Sequence, residues 1–120
     1  MFHVDFSGVT YSSSSIVENR LECYFSEWEK KYGKNPVEIG FDNRLSGLIQ
    51  RAYESTGKNV FLLIDEYDKP LTDVIGDLEQ QNQNSTILQG LYGVLKKSDS
   101  NIRYAMFTGV TRISATGWWR

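Results

Sequence analysis

The five residues Val60-Phe61-Leu62-Leu63-Ile64 are all apolar, with no polar residue alternating among them, and they run directly into Asp65-Glu66. Such a run is the pattern of a strand buried on both faces, as in a parallel sheet covered by helices. Burying those side chains contributes on the order of 10 kcal/mol, at roughly 1.5–3 kcal/mol each, and chain entropy offsets most of it. The segment therefore points to an α/β fold before any other part of the chain is read.

The flanking segments agree. Phe2 to Phe6 reads as a short strand, broken by Ser7, Gly8 and Thr10. The serine tract Ser12 to Ser15 opens a helix, and Ser15 with Glu18 has the spacing of a capping box. Val17, Leu21, Phe25, Trp28 and Tyr32 recur at helical spacing as one apolar stripe, and Lys30, Lys31 and Gly33 suit the helix end. A second helix is expected to start near Asp42, with Leu45, Leu48, Ile49, Ala52 and Tyr53 on its inner face and Gly57 ending it.

After Asp65-Glu66, Pro70 stops the extended segment because it has no amide hydrogen to donate. The polar stretch Glu79 to Ser85 reads as a loop. A third helix follows, with Ile87, Leu88, Leu91, Tyr92 and Leu95 inward, and Ile102 to Phe107 is the final strand. Strands separated by helices imply right-handed crossovers and a parallel, three-layer α/β/α arrangement.

Composition excludes several function classes. The chain has 120 residues, enough for one domain, and no internal repeat or interdomain linker. Its formal net charge of −2 mixes both signs, so no basic field recruits nucleic acid and the chain carries no direct nucleic-acid signal. Cys23 and His3 are single occurrences, which rules out an intrachain disulfide and argues against zinc or a Cys-His dyad. The first residues show neither a basic region nor a long apolar run, and no stretch approaches the roughly 20 residues of a membrane span. A cytoplasmic location is the expectation.

Chemistry concentrates at the end of the apolar run. Two carboxylates at the carboxyl edge of a buried parallel strand stand where such sheets bind ligands. They are costly there unless a cation or polar groups compensate them. Hydrated magnesium bound to phosphates is one compensation, since that ion favours oxygen ligands and keeps several waters. In this reading Asp65 holds a magnesium-bound water, and Glu66 orients or deprotonates the water attacking a γ-phosphate. The same acids could do no more than cap the next turn. Thr108, where the last strand leaves the sheet, could bond that water or the phosphate, or simply precede the turn at Gly109. Arg112 could reach phosphate or sit in solvent, and Asp5-Phe6-Ser7-Gly8 reads as a turn held by local side-chain bonds.

These segments together resemble a known family. DEYDKPL after the apolar run, DFS at the first strand and FTGVTR on the last are similar to the bacterial AAA-ATPase-like family, often fused to a PD-(D/E)xK nuclease-like domain. The resemblance extends from about Val4 to Ser114. It implies a phosphate-loop NTPase fold and magnesium-dependent binding and hydrolysis of ATP. Asp65 and Glu66 match the family's Walker B acids, and Thr108 matches its sensor position. On this resemblance residues 1–114 form a partial ATPase domain and 115–120 a divergent tail.

The family's phosphate loop and its strand, expected upstream of DFS, are missing. Gly33-Lys34 and Gly57-Lys58 are the only Gly-Lys pairs. Each is followed by asparagine, and Trp28 and Ala52 stand where the earlier glycine is required. The chain alone is accordingly expected to be inactive. The strand Ile102 to Phe107 is expected at an unpaired edge through which copies could associate, with Trp118 and Trp119 adding aromatic area. An alternative is a receiver-like signalling domain with Asp65 as phosphoacceptor and Thr108 as its switch hydroxyl; the single acid Asp5 and the missing strand-end lysine speak against it. A metal-dependent nuclease needs acid-x-Lys on a strand, which Asp65-Glu66-Tyr67-Asp68 does not offer.

Overall fold

The computed structural model describes residues 1–109 and 113–115, the last three and Asp99 by backbone only. The order is β1 (Phe2–Asp5), α1 (Ser14–Tyr32), α2 (Gly40–Thr56), β2 (Val60–Asp65), α3 (Lys69–Thr72), α4 (Leu78–Lys97), a 3-10 turn (Asp99–Asn101), β3 (Ile102–Thr108) and β4 (Ile113–Ala115). The sheet order is β1-β2-β3-β4. β1, β2 and β3 are parallel, and β4 pairs antiparallel with β3. The α/β class and the parallel sheet are those expected, and the arrangement is consistent with a three-layer α/β/α fold of which α1, α2 and α4 form one helical layer.

Helices α1, α2 and α4 pack on one another and against one face of the sheet. Phe2, Val4, Leu62, Ile64, Ile102, Ala105 and Phe107 point into that layer, where they meet Val17, Leu21, Phe25, Leu48, Ile49, Leu88 and Leu95. The opposite face carries His3, Phe61, Leu63, Tyr104 and Met106. On it Phe61 is 49% exposed and Tyr104 41% exposed. The expectation that Val60–Ile64 is buried on both sides is thus corrected for the described residues. An all-apolar sequence hides the period-two exposure that the backbone imposes.

β3 does not run in step with β2 throughout. Val60 stands opposite Ile102 but Phe61 stands opposite Tyr104, so Arg103 is an extra residue in β3. This is a β-bulge, uncommon between parallel strands.

Three local expectations change. The first helix begins one residue earlier than its supposed cap: Ser13 is the N-cap, and the Ser15 hydroxyl bonds the Ser13 hydroxyl at 2.8 Å in place of forming a capping box with Glu18. The end of α1 is instead served from outside. Ser14 N donates to Gln80 Oε1, and Ser14 Oγ donates to Gln83 Oε1.

The stretch Glu79–Ser85 is helix, not loop. Asp77 caps α4 by accepting from Gln80 N, and the polar side chains that suggest a loop are used for tertiary bonds. Asn84 is 0% exposed, and its Nδ2 donates to the carbonyls of Tyr11 (3.2 Å) and Pro70 (2.8 Å). Lastly, Ile102–Phe107 is not an unpaired edge, because Met106, Phe107 and Thr108 pair with Ala115, Ser114 and Ile113. The backbone amides that would have attracted another copy are partly satisfied within the chain.

The helical layer also holds an ion-pair cluster. Arg44 binds Glu22 and Glu29 through paired hydrogen bonds of 2.8–3.0 Å, with its guanidinium over the rings of Phe25 and Phe41. Gly57 ends α2 at φ 69°, a left-handed conformation that glycine adopts without a Cβ clash.

Candidate functional site at the carboxyl edge of the sheet

Asp65 ends the internal strand β2, and Asp5 and Thr108 end the strands on either side. Side chains two apart on a strand share a face, so His3, Asp5, Asp65 and Thr108 all lie on the half-open side of the sheet. The structure therefore brings Asp65, Glu66 and Thr108 together.

Asp65 is held from both neighbouring strands. Thr108 Oγ1 donates to its Oδ1 at 2.9 Å, and His3 Nε2 lies 2.7 Å from its Oδ2. An ionised carboxylate has no hydrogen to give, so Nε2 is the donor. The Asp65 side chain stays 32% exposed, and a carboxylate oxygen can accept more than one hydrogen bond.

Glu66 follows in a left-handed backbone conformation, φ 56°, and is the only non-glycine residue with positive φ among those described. That geometry costs about 1–2 kcal/mol for a residue with a Cβ. It is held by two bonds from β3: Glu66 N donates to Thr108 Oγ1 (3.1 Å), and Tyr67 N donates to the Thr108 carbonyl (2.9 Å). The turn swings the chain out of the sheet and leaves the Glu66 carboxylate without a hydrogen bond or ion pair among the described residues. Thr108 is less free than expected of a sensor. Its hydroxyl hydrogen is directed to Asp65, and one of its lone pairs accepts from Glu66.

The next residues fasten the site. Asp68 lies against Gly109, where an added Cβ would come within 3.1 Å of Asp68 Oδ2, so a side chain at 109 would push on this turn. Asp68 Oδ1 is buried without a hydrogen-bond partner among the described residues. Burial, with Tyr67 and Asp68 nearby, pushes the Tyr92 hydroxyl well above its ordinary range.

Lys69 Nζ donates to the Val9 carbonyl and to Asp73 Oδ2, both at 2.7 Å, while Tyr11 N donates to the same carboxylate oxygen. With the two bonds from Asn84, this clamps the loop after β1 to the turn after β2. Asp5 makes the expected local turn: Ser7 N donates to its Oδ1, and that bond holds the Asp5 carboxyl below the usual range.

Sequence reasoning missed His3, Lys69, Asp73 and Asn84. His3 was legible in principle, because Phe2, Val4 and Phe6 alternate with His3 and Asp5, which places both polar residues on one face. Arg112 lies outside the described residues, as do Trp118 and Trp119. A broad hollow of about 720 Å³, lined in part by Glu38, Asn43, Gln50, Lys97 and Asn101, lies beside the 3-10 turn at the amino end of β3. It gathers no comparable set of acids, and the strand ends remain the better site on chemistry.

A parallel sheet whose polar cluster sits at its carboxyl edge defines the broad class of α/β proteins that take ligands there. The chain belongs to the AAA-ATPase-like family, described as predicted AAA-ATPase, which matches residues 1–118. It is 39% identical over 114 residues to an uncharacterized protein in the vnfD 5′ region of Azotobacter chroococcum mcd 1. That match takes in 95% of this chain and 22% of the relative, so the chain spans about a fifth of the relative's length. No solved structure matches. Among the described residues no helix is long and apolar enough to cross a membrane.

Proposed function

We propose that this chain supplies the metal-and-water half of a magnesium-dependent ATP-hydrolysing site, with Asp65, Glu66 and Thr108 as its working residues. The observation that carries the reading is the bond from Thr108 to Asp65 beside Glu66 in its left-handed conformation at the lip of an internal parallel strand. Bound magnesium would neutralise phosphate charge and supply ordered waters.

The residues fit that role. Among the described residues no three acidic, histidine or cysteine side chains converge on one point, so a cation would take most of its ligands from water and phosphate. Asp65, held on both oxygens, would hold a magnesium-bound water. Glu66 is aimed out of the sheet by its backbone and accepts the proton of the attacking water. Thr108 holds the Asp65 carboxylate and the Glu66 backbone amide at once.

Among the described residues no hydrogen bond or ion pair brings a lysine or arginine to Asp65 or Glu66, and the 120 residues contain no Gly-x4-Gly-Lys-Ser/Thr loop. Phosphate binding needs that compensation. These residues alone therefore bind ATP no more tightly than about millimolar, a range at which the free energy is near −4 kcal/mol. Calorimetry with magnesium-ATP checks this, and micromolar binding overturns the need for a loop. The site itself is tested by titrating the ¹⁵N-labelled chain with manganese-ATP. Selective broadening of the Asp65, Glu66 and Gly109 amides is expected; broadening elsewhere, or none, overturns the assignment.

A further inference from the structure

We infer that His3 is a positioning residue for Asp65, a role that rests on the proposed metal-and-water reading of the site. The inference starts from the sheet. β1 and β2 are in parallel register with His3 opposite Leu63, so His3 lies one pleat behind Asp65 on the same face. From there its ring reaches forward across the strand gap to Asp65 Oδ2 at 2.7 Å. The contact is short for a nitrogen donor and an ionised acceptor, in the range of charge-assisted bonds.

His3 and Thr108 act as a pair. A carboxylate on a strand end can rotate about its last bond, and one hydrogen bond leaves that rotation open. Thr108 holds Oδ1 from β3 and His3 holds Oδ2 from β1, so the carboxylate plane is fixed by bonds from opposite sides. The carboxylate is then presented in one orientation at the strand end. Groups that orient a carboxylate near a metal typically change metal affinity or activity by about 10–100-fold when removed. The His3 side chain is 43% exposed and supports little core packing, so its replacement tests orientation more than folding.

The experiment compares wild type with His3→Gln, His3→Leu and His3→Asn in the manganese-ATP titration. Glutamine keeps an N–H donor with reach, leucine keeps bulk without a donor, and asparagine keeps a donor without reach. Wild type and His3→Gln should broaden at the same manganese-ATP concentration, whereas His3→Leu and His3→Asn should need about tenfold more. Amide shifts of β2 and β3 away from Asp65 should match wild type in all three variants.

Equal broadening in wild type, His3→Leu and His3→Asn overturns the role of His3 and leaves the site reading standing. Equal weakening in all three variants, glutamine included, also overturns it, because donor geometry would then not matter. Absence of selective broadening in wild type removes the site reading, and this inference with it.

Discussion

Replacing Asn84 with leucine isolates the clamp beneath the site. Asn84 is fully buried, and its amide nitrogen donates to two carbonyls, those of Tyr11 after β1 and Pro70 after β2. Leucine has about the right volume but no donor, so both carbonyls lose their partner. Leaving a buried acceptor unsatisfied costs about 1–3 kcal/mol each. The asparagine Oδ1 is itself buried without a partner among the described residues, and its removal offsets about 1 kcal/mol of that. The expected net loss is about 3 kcal/mol.

With a urea slope of about 1.5 kcal/mol/M, the midpoint falls by about 2 M. Urea unfolding followed by far-ultraviolet circular dichroism measures it. Asn82→Leu, on the exposed side of the same helix, serves as control and should stay within about 0.5 kcal/mol of wild type. A midpoint for Asn84→Leu within about 0.5 M of wild type at an unchanged urea slope would refute the reasoning, since the carbonyls would then have found water or each other.

Three further outcomes follow from the same structure. Glu66→Gly should raise stability by up to about 1 kcal/mol by relieving the left-handed backbone, less the greater entropy of unfolded glycine, and a lower urea midpoint would contradict the strain. Thr108→Val should lose about 1–2 kcal/mol and speed hydrogen exchange at the Glu66 amide, while Thr108→Ser should keep both near wild type. Hydrogen bonds from Arg44, then from Ser26, lower the Glu22 carboxyl from its ordinary 4.5 to about 2. Because the folded-state value is the lower one, Glu22 contributes stability that is complete above 4.5 and fades as pH falls toward 2. Arg44→Met should flatten urea midpoints across that window and, by leaving Glu29 buried and unpaired, cost about 3–5 kcal/mol at neutral pH.

The apolar run and the spacing of Val17, Leu21, Phe25 and Trp28 made the sheet and first helix legible, because burial on one side is written in side-chain period. The Asp65-Glu66 pair was legible because acids at the end of an apolar strand conflict with their surroundings. What escaped was written in tertiary partners. Glu79–Ser85 has the composition of a loop, yet Gln80, Gln83 and Asn84 satisfy groups on α1, the β1 loop and the α3 turn. No window confined to the stretch contains those partners. His3 escaped for a related reason. A single histidine suggests no metal site, and its link to Asp65 exists only once β1 lies beside β2. The exposed face of β2 was hidden because Phe61 and Leu63 are as apolar as their buried neighbours.

The extra residue at Arg103 reaches further along the chain than its own neighbourhood. Ile102 faces the helices, and so do Ala105 and Phe107, an odd interval followed by an even one. Strict two-by-two counting from Ile102 would instead send Tyr104, Met106 and Thr108 inward and leave Phe107 in solvent. The slip at the start of β3 thus sets the phase that delivers the threonine hydroxyl to Asp65 at its far end. Deleting Arg103 would remove the bulge and keep that phase, whereas deleting one residue between Tyr104 and Phe107 would turn the hydroxyl away from Asp65.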